Sequence, residues 1–480
     1  MKPLLHAPKL NAANLPWFNT HTPLDLSDFK GKLAILDFWT YCCINCIHVI
    51  PTLKRIEENF PDSVVIVGIH SPKFPGEKNT RNLEQAIHRY EIEHPIVQDV
   101  NFSIWENYAI RAWPTLILVG PNGYILGEYP GEPNPDMLLN TIDGMLKDLK
   151  SENALFGNAK DLLFIDKSAD GKTLSFPGKI SYSIEDKEFA IADSNHNQIV
   201  TADSEGRITR RIGSGKIGKR EGTFNEAEFY RPQGLCYQEG LIWIADTENH
   251  LLRRIDVKAE TVATCAGIGI QGAALKRGKG VPLSSPWDVS IADGWLYFAN
   301  AGSHQIGVYH IEEGTIEPFA GTSQEALIDG PRFNGAFAQP SGLSTGDNKL
   351  FLADSETSAI RSVRLDEFGF IATYIGKGLF DFGDLDGKGK LALLQHPLGV
   401  HYSKDRVYIA DSYNHKIKVL DLKTQDVTTV SFDLATDGIG QLWEPAGVLE
   451  LNNRLYVSDT NNHRILKVDL ESGKAEIFIV

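Results

Sequence analysis

Between residues 189 and 465 the chain writes one line six times. The copies are Phe189-Ala-Ile-Ala-Asp193, Ile242-Trp-Ile-Ala-Asp246, Leu296-Tyr-Phe-Ala-Asn300, Leu350-Phe-Leu-Ala-Asp354, Val407-Tyr-Ile-Ala-Asp411 and Leu455-Tyr-Val-Ser-Asp459. Each ends in a carboxylate or its amide, a short polar turn follows, and then another apolar run. The aligned positions are 53, 54, 54, 57 and 48 residues apart. Such a unit is too short in apolar residues to bury both of its faces alone. A period of this length made of short strands therefore predicts an array of small sheets closed into a ring, a six-bladed β-propeller over residues 173–480.

Proline and glycine open each unit: Pro177-Gly178, Pro232-Gln-Gly234, Pro340-Ser-Gly342, Pro397-Leu-Gly399 and Pro445-Ala-Gly447, with Pro286-Trp-Asp288 in the third. Four strands per unit follow from this punctuation. His196, His250, His304, His415 and His463 fall in the turns, with Ser358 in the fourth. Residues spread over six blades are too far apart to share one ion, whose ligands all lie about 2 Å from it. They are read instead as a turn motif, in which the preceding Asp accepts hydrogen bonds from the turn backbone and the imidazole packs locally. Cys236 and Cys265 are read as small buried hydrophobes, and the run 381–389, faintly like a calcium loop, as turn chemistry. The Asn-His pairs at 195–196, 249–250, 414–415 and 462–463 resemble the NHL repeat.

Residues 1–150 follow another grammar, alternating apolar strands (33–39, 64–69, 115–119, 124–128) with helical segments (46–60, bent at Pro51; 81–90; and one capped by Asn134 with Pro135 first). This predicts an α/β layer with a mostly parallel core, joined to the propeller by a linker over 151–172. Three of the chain's five cysteines fall here within five residues, Cys42, Cys43 and Cys46, where the first strand meets its helix. A thiolate at Cys43 faces the positive end of that helix and is the attacking sulfur. Cys46, one turn in, is the more buried partner.

Together Asp37, Cys43-Ile-Asn-Cys46 and Trp113-Pro114-Thr115 resemble the thioredoxin active site. The resemblance implies that Cys46 resolves, that Asp37 relays a proton, and that Pro114, in a cis turn beside Trp113, receives an extended substrate. Two departures stand out. Cys42 replaces the tryptophan usual before the first cysteine and is an auxiliary thiol, and Ile-Asn separates the pair, which retunes the redox potential. Zinc on Cys42, Cys43, Cys46 and His48 fits poorly, because four ligands inside seven residues crowd a tetrahedral site.

A thioredoxin-like domain fused to six NHL repeats resembles the NHL repeat-containing protein 2-like family across essentially the whole chain. Animal members continue into a further β-rich domain not seen after Val480, so a short or bacterial form is expected. The resemblance implies a thiol–disulfide oxidoreductase acting on protein thiols or disulfides, without cofactor, while the propeller holds substrate or partner. The other reading is a scaffold whose cysteines are idle. A net charge of −15 disfavours nucleic acid as partner. The absence of an apolar span or leader disfavours a membrane, and few cysteines fit a reducing cytoplasm.

Overall fold

A computed structural model describes residues 5–156, 171–434 and 439–480. The chain divides into two compact units, Met1–Ala169 and Asp170–Val480. The expected linker, 151–172, falls mostly outside the described residues.

The first unit is built on a six-stranded sheet: β1 (Trp17–Phe18), β2 (Leu33–Trp39), β3 (Val64–His70), β4 (Ile96–Gln98), β5 (Thr115–Val119) and β6 (Ile125–Pro130), in the order β1-β4-β3-β2-β5-β6. Helices α1 (Ile44–Asn59), α2 (Thr80–Tyr90), α3 (Ser103–Asn107) and α4 (Pro135–Ser151) alternate with them. Every residue of β2 is buried, because both faces of the sheet are covered. Leu33 and Ile35 pack with Val49, Leu53 and Ile56 of α1 and with Leu138 and Ile142 of α4. Leu36 and Phe38 pack on the opposite face with Leu10, Leu24 and Ile104. The period-two alternation of a strand therefore turns Asp37 toward the α1 face.

The sheet is less parallel than expected. β2–β3 and β3–β4 are parallel, whereas β2–β5, β5–β6 and β1–β4 are antiparallel. The tight turn at Pro121-Asn122-Gly123, with Gly123 at φ 82°, folds β6 back on β5 as a hairpin. Helix α1 starts at Ile44, two residues earlier than read, and continues through Pro51 without restarting. Asn134 caps α4 as expected, accepting the Met137 N–H at 3.0 Å.

The second unit is a six-bladed propeller, each blade an antiparallel sheet of four strands. Two-residue strands Gly222–Thr223, Gly330–Pro331 and Gly387–Lys388 add a fifth to three blades. The glycine that opens the inner strand of five blades is there because neighbouring blades nearly touch. A Cβ on Gly399 would lie 2.3 Å from the Ala446 carbonyl oxygen, and one on Gly234 would lie 2.4 Å from the Asp288 Cα.

The repeated turn is an interblade fastener, which corrects the sequence reading. In every blade the strand-ending Asp or Asn takes its backbone N–H not from its own turn but from the residue two before that blade's proline: Ser175, Tyr230, Ser284, Ala338, Gln395 and Trp443, at 2.6–3.0 Å. The histidine reaches further still. His250, His304, His415 and His463 each accept, through Nδ1, the backbone N–H immediately before the next blade's proline, at 3.0–3.1 Å. Ser358 does this in the fourth blade through its hydroxyl. In the first blade Asn197 does it, not His196. His196 lies one position earlier and bonds Asp193 at 2.8 Å, as Asn249 bonds Asp246 in the second blade. Ser194, Thr247, Ser355, Ser412 and Thr460 donate to the next blade's proline carbonyl. Through Thr460 and His463 the sixth blade fastens to the first, and the ring closes.

Candidate functional site

Cys43 is the N-cap of α1, with no side chain capping bond of its own, and is partly exposed. Its carbonyl accepts the Cys46 N–H at 3.0 Å and the Ile47 N–H at 3.1 Å, so the helix begins between the two cysteines. Cys46 is 1% exposed and its thiol hydrogen-bonds Cys43. Burial pushes the Cys46 thiol well above its ordinary range, and the bond to Cys43 and the nearby Asp37 carboxylate push it the same way. None of the five cysteines is in a disulfide.

Asp37 lies beneath the pair on the α1 face of β2, 2% exposed. Burial raises its carboxyl to about 7, opposed only by the charge of His94. Its Oδ1 has no hydrogen-bond partner among the described residues. Neither have the Trp39 Nε1, both ring nitrogens of His70 and the Ser71 hydroxyl. His70 stacks on Tyr41 with centroids 5.5 Å apart, and burial lowers its imidazole to about 3, so it is neutral near pH 7.

The Trp113–Pro114 bond is cis. Pairing of Phe38 with Thr115 sets Pro114 beside the end of β2, where the chain runs on to the cysteines. Trp113 joins an aromatic cluster with Trp105 (centroids 4.6 Å apart) and Phe102 (6.2 Å). The structure thus brings Asp37, Cys43 and Cys46 together and puts Trp113-Pro114 at the adjoining strand end.

Two supporting residues escaped the sequence reading. Glu77, fully buried, accepts the Thr40 hydroxyl at 2.6 Å and the Cys42 N–H at 3.1 Å through Oε1. Its Oε2 takes the Lys73 and Phe74 N–H groups at 2.7 and 2.8 Å. It holds Cys42, 1% exposed, with its sulfur 3.8 Å from Thr40 Oγ1. Nothing in Pro75-Gly76-Glu77-Lys78 signals this, since a charged residue in a Pro-Gly turn reads as exposed. His48 pairs with Glu132 at 2.9 Å, and the neighbouring Gly131 N–H bonds the Pro114 carbonyl at 2.8 Å. This pairing links α1 to the strand end that carries Pro114.

Among the described residues no three His, Cys, Asp or Glu side chains are grouped to hold a metal ion. In the run 381–389, Asp384 and Asp386 pair instead with Lys418, at 2.9 and 2.7 Å. At the propeller axis Asp288, standing where the other blades have glycine, binds Lys179 Nζ at 2.7 Å and the Leu343 N–H at 2.7 Å. Lys179 also donates to the Val289 and Leu343 carbonyls, so one ion pair spans the channel between three blades. No helix among the described residues is long and apolar enough to cross a membrane.

Known proteins carry the same combination. A thioredoxin-like family profile matches residues 31–125, and an NHL repeat profile matches 229–255 and 394–420. NHL repeat-containing protein 2 of Bos taurus is 40% identical over 454 residues, covering 87% of this chain and 62% of that protein. The chain is a homologue of NHL repeat-containing protein 2, about 40% identical over most of its own length. Another relative is Protein SUPPRESSOR OF QUENCHING 1, chloroplastic, of Arabidopsis thaliana, 41% identical over 443 residues, which cover 87% of this chain and 42% of that protein. The chain spans less than two thirds of the length of either relative. Over 118 residues, 24% of this chain and 63% of the other, it is 24% identical to Thiol-disulfide oxidoreductase ResA of Halalkalibacterium halodurans. The thioredoxin-like unit of this chain is thus homologous to thiol–disulfide oxidoreductases.

Proposed function

We propose that the thioredoxin-like unit exchanges disulfides with protein substrates. The observation that carries this reading is a partly exposed thiol at a helix N-terminus, hydrogen-bonded to a buried thiol that lies over a buried carboxylate. Cys43 attacks a substrate disulfide, forming a Cys43–substrate bond and expelling one substrate thiolate. Cys46 then gives its proton to Asp37 and attacks the Cys43 sulfur. The Cys43–Cys46 disulfide forms, the second substrate thiolate leaves, and the two leaving thiolates take up two protons. The substrate gains two electrons and the enzyme dithiol loses them. A carboxyl raised to about 7 is matched to accept a proton near neutral pH. Trp113 and Pro114 border the approach for an extended chain, and Cys42, held by Glu77, stays in reserve. The chemistry needs no cofactor, and a reducing cytoplasm would return the dithiol form.

The test is Cys46→Ser in the full chain. Covalent adducts at Cys43 should accumulate on non-reducing gels and disappear with Cys43→Ser. If no adduct forms and the wild type reduces no model disulfide, the reading fails.

One observation favours the scaffold reading. A groove on the propeller is lined by Trp295, Phe319, Phe333, Arg277, Arg332 and Glu317. Arg332 stacks at 5.0 Å on both Phe319 and Phe333. Trp295 and Phe333 are exposed there, and exposed aromatic side chains beside arginine are the composition of protein-binding surfaces. Full cellular function in a Cys43→Ser, Cys46→Ser double variant would establish that reading over the catalytic one.

A further inference from the structure

We propose that His94 and Glu57 form the exit by which the proton of Cys46, once on Asp37, leaves the interior; the proposal rests on the dithiol reading above. In the parallel register of β2 and β3, Gly68 lies opposite Asp37. A Cβ there would lie 3.0 Å from Trp39 Nε1 and 3.4 Å from His94 Nε2. Trp39 is two residues from Asp37 and shares its face of the sheet. The missing side chain at Gly68 thus admits an imidazole to the buried face that carries Asp37.

The far side of that imidazole approaches a carboxylate, within ion-pair distance but without a hydrogen bond in this geometry. His94 Nδ1 is 3.4 Å from Glu57 Oε1; the His94 side chain is 4% exposed and that of Glu57 is 26% exposed. Cys46, Asp37, His94 and Glu57 therefore form a series of proton-carrying groups from the buried thiol to the surface. His94 is also near enough that its protonated form opposes the rise of the Asp37 carboxyl. The other titratable groups on this cluster are Cys43 from the start of α1 and His70 from the end of β3, which stays neutral near pH 7.

The step balances. In its neutral form, with the proton on Nδ1, His94 takes at Nε2 the proton that Cys46 gave to Asp37, while the Nδ1 proton moves to Glu57 and on to water. Asp37 returns to its carboxylate, and no electrons move on this branch.

The experiment uses the full chain and 5,5′-dithiobis(2-nitrobenzoate). Attack by Cys43 releases one thionitrobenzoate, and resolution of the Cys43 mixed disulfide by Cys46 releases a second. Glu57→Gln, at a partly exposed position, and His94→Gln should leave the first release unchanged. Each should slow the second about tenfold below pH 7, converging on wild type at high pH, where hydroxide deprotonates Cys46 directly. A structural disturbance would move both releases together. The exit is overturned if both folded variants show the wild-type second release and pH profile. A wild type with no second release overturns the dithiol reading, and the exit with it.

Discussion

Both units bury carboxylates, and burial acts on them alike. Asp37 is raised to about 7, Asp246 and Asp354 to about 6, and Asp411 to about 7. What differs is company. Asp246 accepts the Tyr230 N–H, the Asn249 amide and the Arg253 guanidinium at 2.8, 2.8 and 3.0 Å. Asp354 takes Ala338 and Arg361 in the same way. Asp37 has an oxygen with no partner and only the charge of His94 to favour ionisation. A raised carboxyl thus does not by itself mark chemistry. In the propeller the repeated carboxylates are tied into a fastener, and Asp288 is tied to Lys179 and the Leu343 N–H. In the thioredoxin-like unit one is left unsatisfied beneath two thiols, and a group held there at a cost in stability is a group available for proton transfer.

The comparison breaks most visibly at Asp246. Asp246→Ala strands the fully buried Arg253 and two further donors. It should destabilise the propeller by about 3–5 kcal/mol, read from that unit's transition in urea with tryptophan fluorescence and circular dichroism. Glu77→Gln replaces an acceptor of four hydrogen bonds and should lower the stability of the first unit by about 2–3 kcal/mol. Asp37→Asn should have the opposite sign. The folded Asp37 holds its proton up to about pH 7, whereas the unfolded one releases it near 3.8. Its cost therefore accumulates as pH rises from about 4 to 7 and stays constant above. The variant should be more stable than wild type by about 4 kcal/mol at pH 8 and equal to it below pH 4, and should resolve mixed disulfides more slowly. Urea melts at the two pH values check this, and equal destabilisation at both would place Asp37 with the propeller carboxylates. The smallest effect is expected at His250. His250→Ala loses one interblade bond, about 1 kcal/mol, whereas His250→Asn should stay within about 0.5 kcal/mol, since Asn197 makes the same contact in the first blade.

Much of this was legible because it repeats or is spaced by geometry. Six copies of one line announce a ring, and Asp37, Cys43 and Cys46 are separated as a strand and a helix start require. The role of the repeated turn was not legible, because the partners of His250 and Thr247 are backbone atoms some 35 to 39 residues ahead. Asn-His at 195–196 also misled. The first blade shifts the motif by one residue, and only the left-handed backbone at Asn197, like that at His250, reveals the true alignment. Glu77 and His94 stayed hidden for a related reason. A loop carboxylate and a histidine before a proline look solvated until the fold closes over them.

The central claim is that Cys43 and Cys46 are one working dithiol, with Cys42 apart from it. Equilibrating the full chain in glutathione buffers of graded potential, alkylating, and mapping the cysteines by mass spectrometry tests it most directly. A single two-electron transition is expected, in which Cys43 and Cys46 become linked while Cys42 remains alkylated. A disulfide through Cys42, or no oxidation across the range, would contradict it.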